Sequence, residues 1–574
     1  MALARAHAMA LVGVRGHPVE IEADIENGLP ALLLVGLPDT ALREARDRIR
    51  SAVVNSGEAW PQRRITVGLS PASLPKRGSG FDLGIAISIA AAAGLVPAAR
   101  LGGMVFLGEL GLDGRVRPVP GVLPAAAAAL GAGFATMVVA PENTPEAALV
   151  PELRVLCTPS LRALVDWLRG VSRPGTAARR AAAKSAAGPA AAGPAAAGSA
   201  AAGSAAAEPV GDEPAAARAP AVLIEPGDAL PDSVIAASAA AAGPDRAAAG
   251  GAAPAGRDLA DVIGQPMARR AAEICAAGGH HLMLLGPPGV GKTMLAERLP
   301  TILPPLELPA ALEVSSIHSV AGTLPAGRPL LIEPPFCAPH HTATKAAIVG
   351  GGSGIIRPGA ASLAHCGCLF LDEAPEFARD VLDALRQPLE SGQVTIARSG
   401  LTAVFPARFM LILAANPCPC ARASTVGSTC TCTPTVRRRY LARLSGPLMD
   451  RVDVKVELLP VGRAELLSDL QLAESSHVVA GRVAAARARA AWRLAGTRWR
   501  LNAQVPGPEL RRAFRPAPGA LVPLERAMDL GEISARGVDR IVRMSWTLAD
   551  LAGVDRPGTD EIGYALGLWL GVGL

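Results

Sequence analysis

Aromatic residues are scarce in this 574-residue chain, at 3% of the total with two tyrosines. A base-stacking platform needs several exposed rings, so the composition argues against one. Any grip on nucleic acid falls to arginine and backbone on phosphate. Lysine is scarcer still, at five residues, and the net charge is only +6, its basic side overwhelmingly arginine. That balance permits nucleic-acid contact without demanding it. Long apolar runs are also missing. The strongest membrane candidate, Leu83 to Ala99, is alanine-rich, carries Gly84, Gly94 and Pro97, and falls short of the ~20 residues a bilayer requires. It reads as a buried helix. Arg5, His7, Arg15 and His17 interrupt any signal-peptide core, so a cytoplasmic location with no membrane partner is predicted. Nine cysteines in such a compartment point to thiols or metal rather than to a disulfide framework.

The length predicts about three to five domains. Residues 1–170 read as one α/β domain. Val19, Ile21, Ala23 and Ile25 alternate with acidic residues, the period of a half-buried strand. Ala41 to Ser56 reads as an amphipathic helix, and Ile65 to Leu69, Met104 to Leu107 and Thr136 to Ala140 as further strands. Residues 171–256 collapse into Ala, Gly, Pro and Ser, broken by the island Ala221 to Ile224. Such a stretch buries too little apolar surface to offset its ordering entropy and reads as a flexible tether, with a helical spacer as the alternative. Residues 257–460 form a third region, with a cysteine-rich loop at 417–433, and residues 461–574 read as mostly helical.

What is present is a phosphate loop. Gly286, Pro287, Pro288, Gly289, Val290, Gly291, Lys292 and Thr293 fit G-x-x-x-x-G-K-[ST] between a short apolar run and an apparent helix start. Glycines let backbone N–H groups turn around the β- and γ-phosphates, the lysine reaches those phosphates, and the threonine hydroxyl ligates Mg²⁺. ATP with Mg²⁺ is therefore the expected ligand. Downstream, Cys368 to Leu371 is an apolar strand ending in Asp372 and Glu373. Asp372 suits Mg²⁺ held through water, and Glu373 suits deprotonation of an attacking water. A third apolar strand ends in Asn416, whose amide suits positioning of that water. Arg451 precedes another strand, Val454 to Leu459, where it would reach a neighbouring subunit's nucleotide. Arg536 opens a C-terminal helix, from which it would meet the γ-phosphate as part of a lid. For both arginines the alternative is a pairing with a surface acid.

Two cysteine pairs, Cys418/Cys420 and Cys430/Cys432, are separated by nine residues. Four thiolates on one short loop suit tetrahedral Zn²⁺, and four free thiols are the alternative. Cys366 and Cys368 read as core residues. His340 and His341 are adjacent, so their side chains are expected to diverge and to pack or contact phosphate rather than share a metal.

Together these residues resemble the AAA+ ATPases of the magnesium-chelatase group, in particular the ComM/YifB-like proteins. The shared runs include Val35 to Pro38, Ser70 to Lys76, Ala338 to Thr342, Gly350 to Ser353, Leu369 to Glu373 and Asn416 to Cys420. The resemblance implies an α/β P-loop core with a helical lid, assembled as homohexameric rings in which Arg451 is the finger and Arg536 the second sensor. It also implies a hairpin over Gln393–Arg398 and Thr402–Phe405, and a second inserted loop between Leu306 and Pro358, both near a pore. Lys345, Arg357 and Arg398 fall in those segments and become the candidate DNA contacts, although Arg398 has facing a nucleotide as its alternative. The N-terminal domain resembles the Lon-protease-like, ribosomal-S5-type α+β fold through Pro75 to Gly78, Gly108-Glu109 and Pro120 to Leu123. The protease lysine position falls near Leu123, and no lysine lies between Lys76 and Lys184, so Ser79 lacks an activator and proteolysis is not expected. By resemblance, the load is branched or single-stranded DNA in recombination, with DNA-uptake or recombination proteins as partners. A metal-chelatase motor subunit and a protein-remodelling chaperone are the rival readings.

Overall fold

The computed structural model of the chain describes residues 2–36, 41–74, 76, 78–171, 219–228, 256–325, 327–352, 356–398, 401–420, 430–462, 467, 469 and 473–571. Two compact units result, one made of Met1–Leu11 and Arg15–Ala241, the other of Val12–Val14 and Ala242–Leu574.

The first unit is built on an eight-stranded mixed sheet. Its order is Val222–Ile224, Arg154–Cys157, Thr136–Val139, Met104–Phe106, Ala2–Val12, Arg15–Glu26, Arg64–Ser70 and Ala31–Val35. In Arg15–Glu26 the residues Val19, Ile21, Ala23 and Ile25 are buried while their acidic neighbours are not, as the alternation requires. The helix Asp82–Ala92 is buried along its whole length. That burial explains its uniform apolarity without a bilayer, and no described helix is long and apolar enough to cross one. One expectation is corrected. The island at 221–224 does not merely interrupt a tether, because Val222–Ile224 pairs antiparallel with Arg154–Cys157 and buries Ile224 at the sheet edge. Two β-branched side chains and a leucine in an alanine-rich stretch meet an open strand there. The rest of the tether, 172–218 and 229–255, lies outside the described residues.

The second unit carries an all-parallel five-stranded sheet ordered Phe336–Cys337, Cys368–Leu371, Met410–Ala415, Leu282–Leu285, Val454–Glu457. Cys368–Leu371 and Met410–Ala415 are buried at every residue, the pattern of strands covered on both faces. Helices Pro266–Gly278 and Thr559–Leu570 pack on this sheet, and Ser476–Arg493 and Ala535–Ala552 pack on Pro266–Gly278. Val483, Ile541 and Trp569 share one apolar core with Leu284 and Val456. The C-terminal helices are thus bound to the sheet by common burial.

Parallel strands all end on one edge, and that fact assembles the site. Leu285 pairs with Ala415, and Leu371 with Leu413, so Gly286, Asp372 and Asn416 emerge together at the carboxyl edge. Arg451 precedes its strand and sits at the amino edge, where the Asp453 amide donates to His281 O at 3.2 Å.

Candidate active site

The phosphate loop has the backbone that its glycines allow. Gly289 and Gly291 adopt φ of 82° and 95°, and Gly291 opens the helix Lys292–Arg298. A Cβ on Gly286 would lie 2.5 Å from Leu458 O, so only glycine fits between loop and sheet. A Cβ on Gly289 or Gly291 would meet nothing within 4 Å, which leaves room for a ligand to approach that backbone. Lys292 is buried, and its ammonium donates to Gly286 O at 2.6 Å, Pro287 O at 2.8 Å and Asn416 Oδ1 at 3.1 Å. Burial lowers its pKa, and the charges of Asp372 and Glu373 oppose that shift. A triphosphate fits this cradle, since it would give the partly desolvated ammonium an anionic partner in exchange for carbonyls.

Beside it, Thr293 Oγ1 donates to Asp372 Oδ2 at 2.6 Å, the pair that would hold Mg²⁺. Glu373 follows at a left-handed φ of 50°, and its amide donates to Asp372 Oδ1 at 2.9 Å. A non-glycine residue in that region costs about 1–3 kcal/mol, and here it turns the carboxylate out of line with the strand. Lys292, Thr293, Asp372, Glu373 and Asn416 are therefore grouped at one sheet edge, as their strand-terminal positions predict.

The histidine pair departs from expectation. Their side chains do not diverge: His341 lies in a turn, and its ring sits tilted at 34° to that of His340 with centroids 4.1 Å apart. His341 Nδ1 lies 3.2 Å from Glu373 Oε2. Sequence reasoning missed this contact because the two residues are 32 positions apart with no shared motif.

Arg451 and Arg536 line one cleft of about 250 Å³ together with Glu390, Asp450, Asp539 and Arg540. Arg451 bonds to Glu390 Oε1 and Pro447 O, leaving its buried Nε unpartnered. Burial first, and then the charges of Arg386, Arg540 and Arg536, push the guanidinium below its usual pKa. The surface-acid alternative therefore describes Arg451 in the single chain. Arg543 also lines the cleft, so four arginines there face three carboxylates.

The two inserted segments also meet. Gln393–Arg398 pairs with Leu401–Pro406 as one hairpin, and Gly350–Gly351 with Arg357–Pro358 as another. Arg398 Nη1 donates to Gly352 O at 2.9 Å, which joins them. Lys345, Arg357 and Arg398 are all exposed.

Cys418, Cys420, Cys430 and Cys432 place their sulfurs within 4.8 Å of one another. Three of the separations are 3.1, 3.4 and 3.3 Å. Tetrahedral Zn–S bonds of about 2.3 Å demand sulfur spacings of roughly 3.8 Å, so the donor set fits Zn²⁺ after small shifts. Its hydrogen bond with Cys418 pulls the Cys430 thiol down to about 6, while burial pushes Cys418 up to about 12. Protein purified without chelator is expected to carry one Zn²⁺ per chain by metal analysis, and Cys430→Ser to lower that content and loosen the loop. Reduced thiols with zinc near zero would leave the four cysteines metal-free. Cys368 is a core residue as expected, while Cys366, at φ 58°, is only partly buried.

In the N-terminal unit, Ser79 Oγ donates to Glu109 Oε2, and Lys76 Nζ to Pro71 O. Each of the two side chains thus has a partner other than the other one.

Comparison with known proteins agrees with the motifs. Residues 258–466 match the family described as magnesium chelatase, subunit ChlI, residues 21–143 the subunit ChlI of Mg-chelatase, and residues 473–568 the ChlI C-terminal region. An uncharacterized protein of Mycobacterium tuberculosis (strain H37Rv) is 47% identical over 99% of this chain and 98% of its own length. YifB of Escherichia coli K12 is 37% identical over 96% and 94%, and competence protein ComM of Haemophilus influenzae 37% identical over 99% and 97%. With likeness of this extent over both units, the chain belongs to the ComM/YifB-like, magnesium-chelatase-type family of AAA+ ATPases.

Proposed function

We propose that this chain is one subunit of a cytoplasmic AAA+ ring that hydrolyses ATP to move branched or single-stranded DNA. The observation that carries the ring is the division of the site between two sheet edges. His281 and Gly286 are five residues apart along one strand, so at about 3.3 Å per residue the Arg451 end lies roughly 16 Å from the phosphate loop. An arginine so placed serves a second copy's nucleotide more readily than its own. Arg536 shares that cleft and would act from the same side, rather than closing over its own loop as a lid.

Within one site, Lys292 and the loop amides bind the β- and γ-phosphates, and Thr293 and Asp372 hold Mg²⁺, which supplies charge neutralisation when bound. Glu373 takes the proton of the attacking water and Asn416 orients it. Arg451 of the adjacent copy meets charge developing on the γ-phosphoryl oxygens.

DNA as the load rests on the joined basic hairpins and on the likeness to a protein named for competence. A metal-chelatase motor is the second reading, favoured by the magnesium-chelatase family matches. The end-to-end likeness to YifB and ComM, N-terminal unit included, favours the first. The deciding experiment incubates the full chain with a labelled four-way junction. DNA is expected to raise ATP turnover, and the junction to separate into duplexes only with hydrolysable ATP. Binding should weaken with salt, and each of Lys345→Ala, Arg357→Ala and Arg398→Ala should reduce the logarithmic salt slope by about one with little sequence preference. A ring that hydrolyses ATP yet neither binds nor responds to DNA would shift the reading to the chelatase or to a protein-remodelling chaperone.

A further inference from the structure

No motif marks Arg540, yet it stands directly behind Arg451. It lies on the helix Ala535–Ala552, and its Nη1 donates to Arg451 O at 2.9 Å and to Asp453 Oδ1 at 2.6 Å. Those acceptors flank Val452, so one guanidinium grips the turn carrying Arg451 on both sides. Asp453 is buried, and its other oxygen accepts the His281 amide at 3.1 Å, one residue before the phosphate-loop strand. Burial alone would raise the Asp453 carboxyl. Arg540 and then His280 outweigh it and hold the group well below the usual range, so the pair stays charged.

The contact extends further. The fully buried His280 ring sets Nδ1 3.7 Å from Asp453 Oδ2 and Nε2 2.8 Å from Thr547 Oγ1. Asn502 Nδ2 donates to Thr547 Oγ1 at 3.1 Å and to Asp550 Oδ2 at 2.8 Å. One run of buried polar side chains thus leads from the helix that carries Arg536 to the turn that carries Arg451. Apolar residues would fill the space as stably or more so, whereas a buried pair fixes one arrangement.

We propose that Arg540, anchored on Asp453, is a positioning residue for ATP hydrolysis that fixes the turn presenting Arg451 to the adjacent copy's triphosphate. This rests on the reading that Arg451 completes that neighbouring site. A purely structural ion pair would disturb nucleotide binding and turnover together. A positioning role leaves the variant's own phosphate loop intact and removes only what it offers its neighbour.

The test uses full-length Arg540→Ala and Arg540→Lys, with Arg451→Ala alongside. A misplacement near 1 Å at a reacting group costs on the order of 10²-fold, so kcat of Arg540→Ala should fall by about that factor. Its KM for ATP should stay within about twofold, with partial recovery in Arg540→Lys. Mixing Arg540→Ala with Glu373→Gln protein should restore turnover, because the latter supplies an intact arginine turn to the former's intact phosphate site. If Arg540→Ala fails to fold, Asp453→Asn removes the anchoring charge at constant shape and should give the same kcat loss at unchanged KM. Full turnover in Arg540→Ala while Arg451→Ala is inactive overturns the positioning role alone. Full turnover in Arg451→Ala overturns the shared site as well. Recovery on mixing for Arg451→Ala but not for Arg540→Ala marks structural damage and also overturns the proposal.

Discussion

Lys292→Ala is expected to abolish ATP binding, whereas Glu373→Gln keeps ATP and loses turnover by about 10²–10⁴-fold, the usual contribution of a positioned general base. The two differ because they act on different stages. Lys292 is the buried cation of the loop, held by Gly286 O, Pro287 O and Asn416 Oδ1. Removing it leaves three acceptors facing a triphosphate with no charge to bridge them. Glu373 contacts none of those groups. Its carboxylate stands 3.2 Å from His341 and half exposed, so an isosteric amide keeps the cradle and removes only the proton acceptor. Binding of a fluorescent ATP analogue and phosphate release, measured on both variants, separate the two stages. Wild-type turnover in Glu373→Gln would strip that residue of its assigned role.

The grouping at the carboxyl edge was legible because parallel strands carry their chemistry at one end. Once Leu282–Leu285, Cys368–Leu371 and Met410–Ala415 are recognised as buried strands, the residues after them must converge. Contacts that join distant segments through loops or tertiary packing were not legible. His341 reaches Glu373 only because the strand Phe336–Cys337 is next to Cys368–Leu371 in the sheet, and nothing local in a His-His pair signals that neighbour. The Arg540 anchor depends on a helix 87 positions beyond Asp453 in the chain. The edge strand Val222–Ile224 was hidden by its composition, since the alanine-rich residues around it outweigh two β-branched residues in any window average. Its partner strand, Arg154–Cys157, supplies the ladder that its own sequence cannot.

An Arg451→Ala protein is expected to bind ATP normally and to lose about 10³–10⁵ in turnover, the range measured for arginines supplied to a transferring phosphoryl group. That range corresponds to roughly 4–7 kcal/mol of transition-state stabilisation. In the single chain Arg451 is held instead by Glu390, whose side chain is 64% exposed against 10% for the arginine. An ion pair with one partner so open to water contributes about 0–1 kcal/mol. Charge developing on an adjacent copy's γ-phosphoryl group would therefore outcompete Glu390 by several kcal/mol in the transition state, and the weak pairing seen here presents no obstacle to assembly. Arg386, Arg536 and Arg540 add further positive charge around the same guanidinium, which favours the exchange. The test of action between copies is complementation. Arg451→Ala retains its phosphate loop and Lys292→Ala retains its arginine, so rings mixed from two nearly inactive proteins contain some intact sites. Turnover should rise above either parent and peak near equal proportions. If mixed assembly is confirmed and activity stays flat at every ratio, Arg451 does not complete a neighbour's site, and the ring reading loses its main support.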